Sequence, residues 1–428
     1  MLALLVLGLG LVWLGPLAVV CRVGRRLTPR RRGRRILYLG TGQIAQVFPR
    51  NGLNLFLERE CSDFDGYFEQ LWNVHFPAGS RGALDLTPRH HLIDVDLELP
   101  DWSKTLRVTA MALREVAFLS WLLPFVTRQR ISVVTGTNPY LQGLNAGLAA
   151  ALLGLPFGVI VTRDFDWDWA VLHQQAFPSA FPSRAIEKRV EHWVLSRAAL
   201  VLADRCYYRE FAVRNGAAPT RAVATRVLAD GAYASAQAEP GVRIRYGLTD
   251  GPLLTYVGRL DADKFPGDLV ECLARVRTRF PRAQLACCGT GALETELRAL
   301  AGRLGVGEGT HLLGSLPLDE LPTLVASSDV VLAAHMGYTL VEAGLTGVPI
   351  ATYDFDYHGE ILEDGVSGML APFRDVDDLA ERVCALLADP PRARRMGARA
   401  RQRLLADHSR AAVIPLYQAA YARVLTSR

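Results

Sequence analysis

The 428-residue chain predicts an α/β protein of two domains, each a parallel sheet wrapped by helices. Three observations point there. The length exceeds what one hydrophobic core ordinarily organises and divides into two domains of roughly 150–200 residues. Half of the residues are hydrophobic and 21% are charged, a globular composition. From Arg35 onward, short apolar runs alternate with longer amphipathic stretches, as buried parallel strands alternate with crossover helices.

Taken in order, residues 1–20 carry no charge. About 20 helical residues span the roughly 30 Å hydrocarbon layer, so residues 1–21 are expected to form a transmembrane signal anchor. Eight arginines follow within a basic juxtamembrane segment, 22–35. By the positive-inside rule they keep the body of the chain cytoplasmic, at an inner membrane. A cleaved signal peptide fits less well, because no basic n-region precedes the apolar stretch and Val19-Val20 is a poor cleavage site. An interfacial helix stays open. Taking these eight arginines away turns the net charge of +5 into −3, so the body offers no basic surface for nucleic acid.

Apolar runs at 36–40, 131–136, 157–162 and 199–203 read as strands of an acceptor-side domain, 36–235. Residues 231–241 (GAYASAQAEPG) lack periodicity and read as a linker. The alternation restarts in a second domain, 236–410, and 411–428 read as a helix packing back on the first domain through Ile414, Tyr417, Tyr421 and Val424. The seven cysteines are scattered without C-x-x-C spacing, which suits a reduced compartment. The nine histidines show no metal-like spacing, and His90-His91 reads as a solvated pair.

The second domain carries the chemistry. YVGRLDADKFPGDL places Gly258, Arg259 and Lys264 before a helix opened by Pro266-Gly267-Asp268. Two cations facing a helix N-terminus make a site for a diphosphate. Only three of the 48 basic residues are lysines, so Lys264 in this loop stands out from the composition. Gly289-Thr290-Gly291 follows the next strand, where a tight turn explains the glycines as well as a ligand does. AAHMGYTLVEAGLTGVPIA supplies Gly337, where backbone can approach a ligand, then Tyr338 and Thr339 at a helix start. Glu342 lies in the first turns of that helix, placed to hold a ribose diol.

From residue 253 to about 403 the chain resembles the donor-binding half of the retaining family 4 (group 1) glycosyltransferases. The likeness rests on Gly258-Arg259-Leu260 with Lys264, Gly289-x-Gly291, Leu313-Gly314-Ser315, Leu340-Val341-Glu342-Ala343 with Gly347-Val348-Pro349, and the stretches at 360–372 and from Asp389. It implies the GT-B fold of two facing Rossmann-like domains. It also implies a nucleoside diphosphate sugar as donor, a saccharide or lipid-linked acceptor, and no obligatory metal or other cofactor. Arg259 and Lys264 would hold the diphosphate and Glu342 the ribose. The family usually carries a second glutamate eight residues before the first, and Ala334 stands there with His335 beside it.

The resemblance extends less clearly into the first domain. Gly40-Thr41-Gly42 lies where such folds place a glycine turn under the donor phosphates, so Gly42 joins the donor-binding set beside the plainer reading of a strand-ending turn. Arg163-Asp164 falls where the family often has a His or His-Asp pair, making Asp164 the first-domain catalytic candidate. If residues 162–170 (TRDFDWDWA) are extended, Asp164, Asp166 and Asp168 share one side and the aromatics the other. Three carboxylates suit a divalent ion, but the aspartate-x-aspartate metal motif belongs to the other glycosyltransferase fold, so no metal site is expected. Two rival readings are a non-catalytic nucleotide-sugar-binding subunit, motivated by Ala334, and a nucleotide-sugar epimerase.

Overall fold

A computed structural model describes residues 14–23, 33–41, 64–79, 81–97, 107–178, 180–228 and 231–426. Gly42 lies outside them, as do residues 1–13 of the expected anchor and most of the arginine band. The chain forms two compact units: residues 1–226 with 414–428, and residues 227–413.

The first unit holds β1 (Arg35–Gly40), β2 (Gln70–His75), β3 (Gly82–Thr87), β4 (His90–Asp94), β5 (Val133–Gly136), β6 (Phe157–Val161), β7 (Leu200–Ala203) and β8 (Ala222–Ala224). They lie in the order β3-β4-β2-β1-β5-β6-β7-β8, with every pair parallel except β3–β4. The chain builds outward from β1 through β2 to β4, then crosses to β5 and builds the other way. That reversal puts a topological switch point between β1 and β5, where open parallel sheets leave a crevice beyond their carboxyl ends. Helix Arg410–Thr426 closes this core. Ile414, Tyr421 and Val424 are buried with Ile36, Phe68, Leu71 and Val133, and the Tyr421 hydroxyl lies 3.0 Å from that of Tyr38.

The second unit is a six-stranded parallel sheet ordered β11-β10-β9-β12-β13-β14. Its strands are β9 (Leu253–Val257), β10 (Gln284–Cys288), β11 (Thr310–Gly314), β12 (Val330–Ala333), β13 (Ile350–Asp354) and β14 (Met369–Pro372). Here β9 and β12 flank the switch point. β9, β10 and β12 are buried along their whole length, which is why each reads as an unbroken apolar run.

Several expectations change. The stretch read as a linker is ordered: Gly231–Ser235 and Pro240–Arg245 are helices, and Arg401 donates to the Ala234 carbonyl at 2.7 Å. The unit boundary therefore falls near residue 226 rather than 235. Of the expected anchor, the described residues Leu14–Val23 are helical and apolar. Leu14, Ala18 and Cys21 are buried, and Arg22 donates to the carbonyls of Ala151 and Leu152. Among the described residues one helix, Ala110–Arg128, is long and apolar enough to cross a membrane, and a third of it is buried in the protein. His90 and His91 are strand residues rather than a solvated pair. His90 is buried beside Asn73, and His91 is held by Asp85 and Gln70.

Candidate functional site in the second unit

β9 ends at Val257, and the loop beyond it turns on close backbone approaches. Gly258 N–H donates to Cys288 O at 3.0 Å, Leu260 N–H to Thr290 O at 3.0 Å, and Leu293 N–H to Leu260 O at 3.0 Å. The glycines at 289 and 291 make this possible. A Cβ on Gly289 would fall 2.0 Å from Gly258 O, and one on Gly291 would fall 2.3 Å from the Leu260 carbonyl carbon. Gly289 also sits at φ +148, where a side chain is strained. The glycine spacing thus brings the β9 and β10 loops into contact.

The β9 loop places Arg259 and, in the 3₁₀ turn Ala262–Lys264, Lys264. Arg259 Nη2 lies 2.9 Å from Asp263 Oδ2, and Lys264 Nζ lies 3.7 Å from the same oxygen. Arg259 also pairs with Asp261. The two cations therefore converge on one carboxylate oxygen, just before helix Pro266–Val276 begins. The Tyr256 hydroxyl braces the turn by donating to Arg259 O at 3.0 Å. Burial raises its pKa far above the ordinary value, so it remains a donor.

Helix Tyr338–Leu345 starts across the switch point, after β12. Thr339 Oγ1 donates to Val257 O at 3.0 Å, tying this helix start to the end of β9. The Tyr357 hydroxyl reaches the carbonyls of Met336 and Gly337, fixing the loop before it. A Cβ on Gly337 would meet nothing within 4 Å, so space is open there, and Tyr338 is exposed. Glu342 is buried on the same helix. Arg259, Lys264, Gly337, Tyr338, Thr339 and Glu342 thus share the carboxyl edge of two adjacent strands at the switch point.

Sequence reasoning missed Asp263, His335 and Asp356. His335 Nδ1 lies 2.8 Å from Asp263 O and its Nε2 3.3 Å from Asp356 Oδ2, so it links the cationic loop to the turn after β13. The clue to Asp263 lay in the acids that alternate with the cations in RLDADK.

The first-unit candidate changes character. Residues 165–172 form a helix, not an extended segment, because Asp164 caps it: Oδ1 accepts from the N–H groups of Asp166 and Trp167 at 3.0 and 3.1 Å. Its Oδ2 takes Arg214 at 2.9 Å. The three aspartates then diverge. Asp166 meets Arg184, Lys188 and Asn215, while Asp168 meets Arg163. Phe165 packs edge-on against Tyr140. Among the described residues no group of three His, Cys, Asp or Glu is arranged to hold a metal ion.

Comparison with known proteins finds its family match over much of this unit. Residues 243–403 match the family model described as "Glycosyl transferases group 1". The chain is 25% identical over 300 residues to an alpha-D-kanosaminyltransferase of Streptomyces kanamyceticus, covering 65% of this chain and 74% of that one. It is 33% identical over 167 residues to a GDP-mannose-dependent alpha-(1-6)-phosphatidylinositol monomannoside mannosyltransferase of Mycolicibacterium smegmatis, covering 36% of this chain and 44% of the relative, less than half its length. The crystal structure of Anabaena HepE with UDP and glucose shares the fold at a TM-score of 0.68 and 16% identity, covering 91% of this chain and 99% of that one. The matched residues, 243–403, lie within the second unit and take in the paired cations and the helix-borne acid, so the likeness to the group 1 glycosyltransferases is carried by that unit.

Proposed function

We propose that the chain moves a sugar from a nucleoside diphosphate sugar to the hydroxyl of a saccharide or lipid-linked acceptor at the cytoplasmic face of a membrane. The convergence of Arg259 and Lys264 on a single oxygen of Asp263 carries the reading. A carboxylate oxygen there stands in for a phosphate oxygen, and a diphosphate entering the loop takes over both cations. Positive charge and the N–H groups opening helix Pro266–Val276 then stabilise the departing diphosphate as the anomeric C–O bond breaks. Glu342 holds the ribose, and Gly337 with the start of helix Tyr338–Leu345 leaves room for the donor. The chemistry calls on no metal, because the two side-chain cations take the charge. The mannosyltransferase relative, named for a phosphatidylinositol-linked substrate, and the charge-free stretch before the arginine band support the lipid-linked, membrane-surface part of the reading.

Thermal shift and turnover with UDP, GDP and their sugars test it. A saturating nucleotide raises apparent stability by roughly 2.7 kcal/mol at a hundredfold excess over its Kd. Arg259→Ala is expected to weaken the bound nucleotide about 10- to 100-fold, as loss of charge-assisted contacts worth about 1.5–3 kcal/mol requires. No shift with any nucleotide would defeat the reading. Binding without turnover under every acceptor would favour a non-catalytic subunit, the reading motivated by Ala334.

A further inference from the structure

Helix Pro390–His408 of the second unit carries six arginines against one aspartate. The rest of that unit, within residues 227–413, has 13 basic and 24 acidic side chains. Summed charge over the body hides this helix, which is a basic element set in an acidic unit. Its buried stripe is Ala393, Met396, Gly397, Ala400, Leu404 and His408. A Cβ on Gly397 would fall 2.0 Å from Gly347 O, and one on Gly344 would fall 2.3 Å from Leu404 Cδ1. The helix is therefore seated firmly on helix Tyr338–Leu345 and the turn after it.

On the outer side Arg392, Arg395, Arg399 and Arg403 are exposed and recur at helical spacing over about 16 Å, and Arg394 is exposed as well. Arg403 meets Asp407 and the Glu360 carbonyl. Arg392, Arg394, Arg395 and Arg399 make no ion pair or side-chain hydrogen bond among the described residues. Elsewhere on this unit Arg245, Arg275, Arg279 and Arg382 each meet a carboxylate.

Folding does not account for the stripe. Arg392, Arg394 and Arg395 lie in the first two turns, where the helix dipole disfavours cations. Arg392 with Arg395, Arg395 with Arg399 and Arg399 with Arg403 are like charges three or four residues apart, and such neighbours repel. An anion outside the chain relieves both effects.

We propose that helix Pro390–His408 docks on the anionic headgroups of a lipid bilayer. This names a partner surface for the membrane-surface reading above and rests on it. Residues 1–20 are free of charge and suit a membrane. A planar anionic surface meets one face of the unit, whereas a nucleic acid strand running past either end of the helix meets acidic surroundings.

The full chain with Cys61→Ser and Cys206→Ser carries an NBD fluorophore on Ala398→Cys, an exposed position on the same helix. It is reconstituted in phosphatidylcholine vesicles with and without about 30% phosphatidylglycerol. Emission should rise and shift to the blue only with phosphatidylglycerol, and ~1 M NaCl, where the Debye length is ~3 Å, should reverse it. Each arginine near an anionic surface is worth about fivefold in partition. Arg392→Gln, Arg394→Gln, Arg395→Gln and Arg399→Gln together should therefore lower the docked-to-free ratio several hundred-fold. The Tm of that variant in detergent should equal or exceed that of the arginine-intact chain, and its turnover of UDP-glucose or GDP-mannose onto n-octyl glycosides should be unchanged.

Equal emission with and without phosphatidylglycerol overturns the proposal, as does an undiminished response in the variant. A DNA duplex that shifts emission when the anionic vesicles do not assigns the helix to nucleic acid instead. A lower Tm in the variant overturns it too, since the arginines would then serve the fold. An arginine-intact chain that transfers no sugar defeats the glycosyl-transfer reading, and the vesicle response is read apart from it.

Discussion

Asp164 and Asp263 are both buried acids in loops after parallel strands, and their neighbours give them different work. Asp164 is committed to two backbone N–H groups and Arg214, so its contribution is to helix 165–172. Losing an N-cap costs about 1 kcal/mol, whereas Asn caps nearly as well as Asp. Asp164→Ala should therefore lower Tm, while Asp164→Asn should keep both Tm and turnover near wild type. Lost turnover in a stable Asp164→Asn protein would return this residue to the chemistry. Asp263 instead pairs with Arg259 and Lys264, the two cations proposed to hold the donor diphosphate. That distinction was hidden in the sequence, where both appear only as acids beside basic residues. Arg259, Lys264 and Glu342 stood out because their order along the chain is itself a signal, and the structure sets Arg259 and Lys264 around one Asp263 oxygen.

At the scale of elements, the buried strands were readable because a strand covered on both faces is apolar throughout, as β9, β10 and β12 are. β2 and β4 were not, since QLWNVH and HHLID carry histidines and polar residues that end at the His75–Asp94 pair. Helix Arg107–Arg128 shows the same mixture inside one element, with Glu115 set in an apolar sequence. Burial pushes the Glu115 carboxyl up to about 7, although Asn145 Nδ2 donates to it at 2.7 Å. With the folded value above the unfolded one, its contribution is intact below about pH 4.5 and is lost as pH rises through 7. Glu115→Gln keeps an acceptor for Asn145 and should raise Tm at pH 8, with the advantage gone by pH 4.5. A Tm gain that is the same at both pH values would show the ionisation to be irrelevant. In the β10 loop, Gly289→Ala forces a Cβ onto Gly258 O. It should disturb the Arg259 loop and weaken nucleotide binding by thermal shift far more than Gly302→Ala in helix Glu294–Arg303, which enters open space away from the cations.

Over the whole molecule, each unit buries a histidine that stays neutral. His90 accepts from Asn73 in the first, and burial followed by the charge of His91 lowers its pKa to about 4. His358 lies between the Thr352 hydroxyl and the Met336 carbonyl in the second, and burial followed by His335 lowers it to about 4. The unfolded chain binds more protons between these values and the ordinary 6.5, so stability is full above about pH 6.5 and falls toward pH 4. Each site accounts for up to ~3 kcal/mol across that window. Tm measured from pH 7 to pH 4 should drop steeply, and His90→Gln should flatten part of the fall. An equally steep acid limb in that variant would remove His90 from the account.

The path of the chain through the first unit also sets a schedule for synthesis. Tyr38 and Tyr421 share a hydrogen bond across 383 positions, with the whole of the second unit lying between them. At roughly 5–20 residues per second, a ribosome needs roughly 20–80 s to travel from one to the other. During that interval the later-made unit can complete its sheet while the earlier one waits with an open seam around Phe68 and Leu71. Nascent chains stalled before Tyr421 should therefore be protease-resistant over residues 227–413 and cut readily within residues 33–226, an inversion of the usual N-terminal-first order.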